Sequence, residues 1–362
     1  MAKDHRVEKE MANSVQTAVM GVSGYAGMEL ARLLLHHPRL KGVPPVFLGR
    51  ADAQGETALT AMHPQLMDNN GSASLKIEPF SWDLLKARGV DVLFLATPHE
   101  QSREWAPKAL EQGLRVIDLS GAWRLNKASN RAVYKFDDDG YRHAVAVQAK
   151  AVYGSPELHR DEIRGAELVA NPGCYATSVI LALKPLIAAG WVDLERGIVA
   201  DAKSGVSGAG KAPTEKTHYM YAADNLSAYG VFAHRHTGEL LEQLELTDEQ
   251  IVFTPHLLPI PRGILSTIYV SFREKKSGSD VEARYREFYA ESPMVRVFAA
   301  GQLPQIQYSV RTNYCDVGFT LNKDGRRCVI VSCLDNLLKG AAGQAVENLN
   351  LMYGWEEAEG LA

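Results

Sequence analysis

Short apolar runs alternate with amphipathic stretches through the first half of the chain. The run Thr17-Ala-Val-Met-Gly-Val22 reads as a strand, followed by a glycine-punctuated turn over 21–27. Residues 28–37 then carry a helical pattern that Pro38 closes. A second strand is expected over 43–48, ending at Gly49-Arg50. The run 90–96 (Val-Asp-Val-Leu-Phe-Leu-Ala) reads as a buried strand of a parallel sheet. A helix ending near Gly113 and a strand over 114–119 continue the alternation, which predicts a doubly wound parallel sheet.

The pattern changes in the second half. β-rich runs fall at 198–203, 251–256, 264–273 and 327–334, with helices between them. This spacing predicts a mixed α+β domain with a largely antiparallel sheet. The last strong helical pattern, 339–352, is rich in small residues that allow close packing, back against the first domain. No internal repeat is visible.

Length and composition agree with this division. A chain of 362 residues exceeds the usual size of one domain. With 46% hydrophobic and 23% charged residues it can bury ordinary globular cores. A net charge of -4 supplies no basic field for a nucleic-acid backbone, so a phosphorylated ligand needs local cations. No apolar stretch approaches the roughly 18 residues of a membrane span, so no membrane partner is expected. Residues 1–15 are charged, lack the apolar centre of a secretory leader, and read as a poorly ordered tail. The four cysteines have no CxxC spacing, which points to reduced thiols in a cytoplasmic setting and to no metal site.

The turn Gly21-Val-Ser23-Gly24-Tyr25-Ala26-Gly27 follows a strand and opens a helix. In that context its glycines allow close approach to a pyrophosphate, and the helix N-terminus supplies N–H groups. A tight strand–helix turn with no ligand is the alternative. A fold that binds NAD usually ends its second strand on an acid; here Arg50 stands there, which suits the 2′-phosphate of NADP(H), with a solvated loop arginine as the alternative.

Asn171-Pro-Gly-Cys174-Tyr-Ala-Thr-Ser178 lies between an apolar strand and a long apolar helix. Cys174 is therefore expected at a helix N-terminus, where the dipole favours thiolate. A thiolate can attack an activated carbonyl to give a thioester. Read locally, an inert buried cysteine is the alternative. His234 and His236 offer an acid/base partner, a structural histidine or a weakly supported metal ligand; spacing does not separate them. The segment Lys203-Ser204-Gly-Val-Ser207-Gly208-Ala-Gly-Lys211 combines N–H, hydroxyl and ammonium groups suited to an anion, although it is no Walker loop because Ala212 follows Lys211. A flexible surface loop is the plain alternative there. Arg124 and Arg262 are further candidate anion ligands.

Taken in order, the segments resemble the N-acetyl-gamma-glutamyl-phosphate reductases, within the wider aspartate-semialdehyde dehydrogenase-like group. The matching blocks are GVSGYAG (21–27), ATPHEQS (96–102), DLSGAWRL (118–125), YGSPEL (153–158), NPGCYATS (171–178), KSGVSGAGK (203–211), AHRHTGE (233–239), PHLLPIPRGILST (255–267) and DNLLKGAAGQAVENLN (335–350). They span nearly the whole chain after the first 15 residues.

The resemblance implies an α/β fold of the glyceraldehyde-3-phosphate dehydrogenase-like kind. A Rossmann NADP-binding domain over 16–173, completed by 335–362, would accompany a catalytic and oligomerisation domain over 174–334. It implies Cys174 as nucleophile, with His236, or else His234, as acid/base. Gly21, Ser23, Gly24, Tyr25, Ala26, Gly27, Arg50, Ser207, Gly208 and Asn336 would hold the cofactor. Arg124, Asn171, Lys203, Ser204, Lys211, Glu239 and Arg262 would hold substrate or phosphate. A small-molecule substrate and a cytoplasmic homo-oligomer, usually a tetramer, complete the expectation.

Two places depart from the family's usual pattern. Gly238-Glu239 stands where Pro-Glu is usual, and Gly121-Ala-Trp123 where Ala-Asp-Phe is common. Neither touches Cys174, so the reaction type is firmer than the substrate. A sibling reductase of carrier-bound aminoadipyl phosphate and a catalytically silent dinucleotide-binding protein are the rival readings.

Overall fold

The computed structural model of the protein describes residues 15–52, 55–67, 75–136 and 142–361. The tail expected over 1–15 lies, apart from Val15, outside the described residues. Strands of the first sheet are β1 (Thr17–Met20), β2 (Val46–Gly49), β3 (Thr57–Ala58), β4 (Lys76–Pro79), β5 (Val92–Leu95), β6 (Arg115–Asp118), β7 (Ala151–Tyr153) and β8 (Leu168–Ala170). Their order is β3-β4-β2-β1-β5-β6-β8-β7, parallel throughout except for the short β3. The chain leaves β1 towards β2 on one side and returns to β5 on the other. β1 and β5 thus flank a topological switch point, where an open α/β sheet binds its ligand beyond the strands' carboxyl ends.

Apolar residues on both faces of these strands require cover on both sides. Val19, Phe47, Phe94, Ile117 and Val169 pack under α1 (Tyr25–His36). Ala18, Met20, Leu48, Leu93 and Leu95 pack under α2 (His99–Glu111) on the opposite face. Helix α1 begins at Tyr25, three residues before the apolar pattern, because Gly24 in extended conformation is its cap. The glycines explain the compact turn. Gly21 has φ +89°, and a Cβ there would collide with the Ala96 carbonyl. A Cβ on Gly27 would collide with the carbonyl of Gly21, so α1 can sit this close only with glycine there.

After α3 (Pro156–Arg164) and β8 comes α4 (Cys174–Ala188), which enters the second half. Strands β9 (Ile198–Gly205), β10 (Ser227–Ala228), β11 (Ile251–Leu258), β12 (Ile264–Ser271), β13 (Val295–Val297), β14 (Cys315–Leu321) and β15 (Arg327–Leu334) form the second sheet. Its order is β10-β11-β9-β12-β15-β14-β13. Pairing is antiparallel except for β9 with β11 and β13 with β14. Alternation along these strands turns Ile198, Ala200, Ile264, Ile268 and Ile330 towards α4, α5 (Thr237–Gln243) and α6 (Gly278–Phe288). Val199, Val252 and Tyr269 point to the other, exposed face.

The carboxyl-terminal segment does not begin as a plain α-helix. Leu338–Ala342 forms a π-helical turn, and α7 (Gly343–Met352) follows. Every residue of α7 is buried, against α1, α3 and the first sheet. The π-turn carries Gly340 onto Cys174, where any Cβ would press on the cysteine's own Cβ and on the carbonyl of Asp335. A widened turn of this kind is a frequent companion of functional sites.

Candidate active site

Cys174 is the first residue of α4, after the extended cap Gly173. Proline and glycine at 172–173 end the strand segment, and the apolar run from Tyr175 drives the helix into the second core. The turn is held from behind by Glu239, which is fully buried. Its carboxylate accepts the Gly173 N–H (2.9 Å), the Tyr153 hydroxyl (2.7 Å) and an Arg124 N–H (3.1 Å). Arg124 also donates to the carbonyls of Asn171 (2.7 Å) and Leu119 (2.9 Å). Asn171 donates to Ala341 and accepts from Asn348. The nucleophile's loop is thus tied to the first sheet, to α5 and to the carboxyl-terminal helix together.

Two cavities meet at this point. One, of about 300 Å³, runs from Gly24–Gly27 at the N-terminus of α1, past Thr97, His99, Ser120 and Arg124, to Ser207, Lys211 and Asn336. The other, of about 420 Å³, is lined by Tyr175, Thr214, Lys216, Tyr229 and His234. Cys174, Gly208, Arg235 and His236 belong to both. The first cavity lies at the switch point of the sheet. Its glycine cradle, the free N–H groups of α1 and the buried, unpartnered hydroxyl of Thr97 fit a nicotinamide dinucleotide.

His236 is buried with an unpartnered Nδ1, and its ring packs against Gly173. Burial, with help from His234 and two arginines, holds its proton affinity well below the ordinary histidine range, so it is neutral at pH 7. His234 accepts the backbone N–H of His236 on Nδ1 (3.1 Å) and packs edge-on to Tyr175, Tyr229 and Phe253. Burial lowers it to about 4.

The thiol differs from the expectation of a thiolate at a helix end. Burial pushes Cys174 above the ordinary thiol range. The Tyr175 N–H, Arg124 and Arg235 pull it down, but they do not outweigh desolvation. In the free protein the pair is therefore neutral thiol and neutral imidazole. Iodoacetamide labelling of Cys174 should stay slow at neutral pH and accelerate only at pH above the ordinary thiol range; a plateau already reached at neutral pH would contradict this. Cys315, Cys328 and Cys333 are buried in strands, and burial lifts them further, Cys315 and Cys328 to about 12.

Of the residues singled out in the sequence, the cavity walls gather Gly24, Tyr25, Ala26, Gly27, Arg124, Cys174, Ser207, Gly208, Lys211, His234, His236 and Asn336. Asn336 donates to Ser207 (2.9 Å), and Lys211 to the Ser23 carbonyl (3.2 Å), joining the second-half loop to the glycine turn. Gly21 and Ser23 stand in that turn but off the cavity wall. Several others lie away from both cavities. Arg262 pairs with Glu29 (2.5 Å) and Asp335 (3.0 Å), so it links α1 to the second half and has no free edge for an anion. Lys203 pairs with Asp201 (2.6 Å), and Ser204 bonds the Gly205 carbonyl. Glu239 and Asn171 stand behind the nucleophile's loop. Arg50 follows the last residue of β2, with its side chain 83% exposed and paired with Asp52.

Arg235, Gly340 and the 97–99 turn line the site without a local pattern that marks them, except that Arg235 stands between His234 and His236, which is the signal that points to it. Among the described residues no cluster of three or more His, Cys, Asp or Glu is placed to hold a metal, and no helix is long and apolar enough to cross a membrane.

A doubly wound sheet with a dinucleotide cleft that ends on a cysteine opening a helix defines an oxidoreductase of the semialdehyde dehydrogenase class. Residues 16–166 match the family model "Semialdehyde dehydrogenase, NAD binding domain", and 174–336 match "Semialdehyde dehydrogenase, dimerisation domain". Within that class the chain belongs to the N-acetyl-gamma-glutamyl-phosphate reductase family. It is 42% identical to the N-acetyl-gamma-glutamyl-phosphate reductase of Desulfotalea psychrophila over 353 residues, 96% of this chain and 98% of the relative. The enzyme of the same name from Geobacillus stearothermophilus is 40% identical, with the same coverage. Among solved structures, aspartate semialdehyde dehydrogenase II from Vibrio cholerae has a TM-score of 0.64 at 19% identity, covering 93% of this chain and 98% of that one. The aspartate semialdehyde dehydrogenase from Francisella tularensis has a TM-score of 0.65 at 15% identity, covering 93% and 99%. These two likenesses speak to the fold.

Proposed function

We infer that the protein uses NADPH to reduce N-acetyl-L-glutamyl 5-phosphate to N-acetyl-L-glutamate 5-semialdehyde and phosphate, as a step of arginine biosynthesis. The observation that carries this reading is the meeting of two cavities on Cys174 and His236, in a chain whose relatives bear that activity in their names. A silent dinucleotide-binding protein would need neither residue there.

The chemistry follows from the site. His236, neutral and buried, takes the thiol proton as Cys174 sulfur bonds the acyl carbon. The bond from that carbon to the phosphate oxygen breaks, and phosphate leaves with the electron pair and the proton. The acyl group is now a thioester on Cys174. A reduced nicotinamide supplies the hydride when bound. The carbon–sulfur bond then breaks to leave the aldehyde, and the Cys174 sulfur takes up through His236 a proton drawn from solvent. His234 is the lesser candidate for this role because its Nδ1 already accepts a backbone N–H. Glu239, Arg124 and Tyr153 keep the loop of the nucleophile in place and are positioning residues.

Arg50 favours NADP over NAD. A 2′-phosphate carries more charge than the Asp52 carboxylate and can displace it from the guanidinium. Arg50→Ala should raise the KM for NADPH by roughly tenfold or more while leaving that for NADH within about twofold. Equal effects on the two cofactors would remove the role.

Substrate identity is tested in the reverse direction, by NADPH formation from N-acetylglutamate semialdehyde, phosphate and NADP. A chain one methylene longer should be used about 10–200-fold less well. Preference for the longer chain would favour the aminoadipyl reading. The match of 174–336 to a dimerisation domain and the exposed apolar face at Val199, Val252 and Tyr269 support a homo-oligomer, which we place at a tetramer in the cytoplasm.

A further inference from the structure

Each anchored cation around Cys174 already has an acceptor. Arg124 is bonded to Glu239 and to two carbonyls. Lys211 donates to the Ser23 carbonyl, and Arg262 is held between two carboxylates outside both cavities. Lys216 lines the substrate-side cavity alone. Arg235 is different: it is exposed, it has no acidic partner among the described residues, and it lines both cavities beside Cys174, Gly208 and His236. Its charge is felt by the thiol and by both histidines, lowering the proton affinity of each.

We infer that Arg235 is the residue that holds the phosphoryl group of the acyl phosphate over Cys174 and receives the phosphate as it leaves. The inference rests on the acyl-phosphate reading above. The phosphate is bonded directly to the carbon that Cys174 attacks, so its oxygens must lie at the junction of the two cavities. The substrate's carboxylate, several bonds further along the chain, has room to extend into the cavity lined by Tyr175 and Tyr229. A guanidinium matches two phosphate oxygens at once with parallel N–H bonds, which an ammonium cannot. When sulfur bonds the carbonyl carbon and the carbon–oxygen bond breaks, negative charge collects on the departing oxygen next to Arg235. The same guanidinium thus stabilises the leaving group and, in the reverse direction, delivers phosphate to the thioester.

Steady-state kinetics of the reverse reaction, with inorganic phosphate varied at saturating NADP and N-acetylglutamate semialdehyde, test this. Arg235→Gln should raise the KM for phosphate on the order of 10–100-fold, the usual cost of losing charge-assisted bonds to an anion, with the KM for semialdehyde and the fluorescence-measured affinity for NADP nearly unchanged. Arg235→Lys should fall between wild type and Arg235→Gln, which also shows that the variants fold. An unchanged phosphate KM overturns the inference. So does a rise confined to the semialdehyde KM, which would put Arg235 on the substrate carboxylate. A shift confined to the pH profile of Cys174 labelling also overturns it, since that would make the arginine a modulator of the thiol. Absence of phosphate-dependent NADPH formation by the wild-type protein would instead overturn the acyl-phosphate reading itself.

Discussion

Cys174→Ser should lower NADPH formation from N-acetylglutamate semialdehyde, phosphate and NADP by about 10,000-fold or more, the scale seen when an enzyme loses its nucleophile. Serine keeps the Cβ that packs on Gly340, so the loop and the π-turn should stay in place. What changes is the atom. The neutral His236 cannot readily deprotonate an alcohol, and an ester is a poorer hydride acceptor than a thioester. Affinity for NADP, measured by fluorescence quenching, should remain within about threefold of wild type, since an isosteric change on one wall removes little binding energy. Mass spectrometry of the wild-type protein mixed with acyl phosphate, with no reduced cofactor, should find the acyl group on Cys174 and on none of the other cysteines. A serine variant that retains a tenth of wild-type turnover would rule out covalent catalysis through this residue.

The features legible in the sequence were those carried by local patterns. The glycine turn lies between β1 and α1 because Gly21 and Gly27 meet a backbone constraint in a short span, and that constraint leaves its mark on the sequence. The strand runs around 90–96 and 264–273 were legible from apolar patterning alone. Cys174 at the start of a helix was legible because Pro172 and Gly173 interrupt one element and an apolar run begins the next. Its charge state was not. The helix end argued for thiolate, but how deeply the turn is buried depends on Gly340, which is far along the chain. Arg262 and Arg124 illustrate the same limit. Both read as free cations, and both are engaged by carboxylates, Glu29, Asp335 and Glu239, that no local spacing could have assigned to them. The π-turn was hidden for another reason: residues 339–352 carry one continuous helical pattern, and the widened turn fits Gly340 against Cys174, a contact made far along the chain.

Lys339→Met should destabilise the protein by about 3–5 kcal/mol, the cost of stripping one partner from a buried ion pair. Lys339 is fully buried at the π-turn. Its ammonium donates to Glu157 on α3 (2.6 Å) and to both oxygens of Glu347 on α7 (2.6 and 2.8 Å). Asn313 donates a further bond to Glu347 (2.8 Å). Two carboxylates share one cation here, and they divide the charge between them. Burial pushes Glu347 up to about 8, so it mostly holds a proton near neutrality. At Glu157 burial works in the same direction, but Lys339 wins and holds it below the usual carboxylate range. Methionine fills similar space yet leaves Glu157 with no counter-charge, forcing it either to stay ionised in an apolar site or to take up a proton at neutral pH. Both cost stability. Arg50→Ala provides the contrast, because its pair with Asp52 is solvent-exposed and such pairs contribute only about 0–1 kcal/mol. Thermal or urea unfolding of the two variants should separate them clearly, and a Lys339→Met midpoint matching that of Arg50→Ala would refute the network's role. The loss should reach the active site as well. Gly340 is the next residue and rests on Cys174, so Lys339→Met should lower kcat at temperatures where the protein is still folded, with the KM for NADPH much less affected.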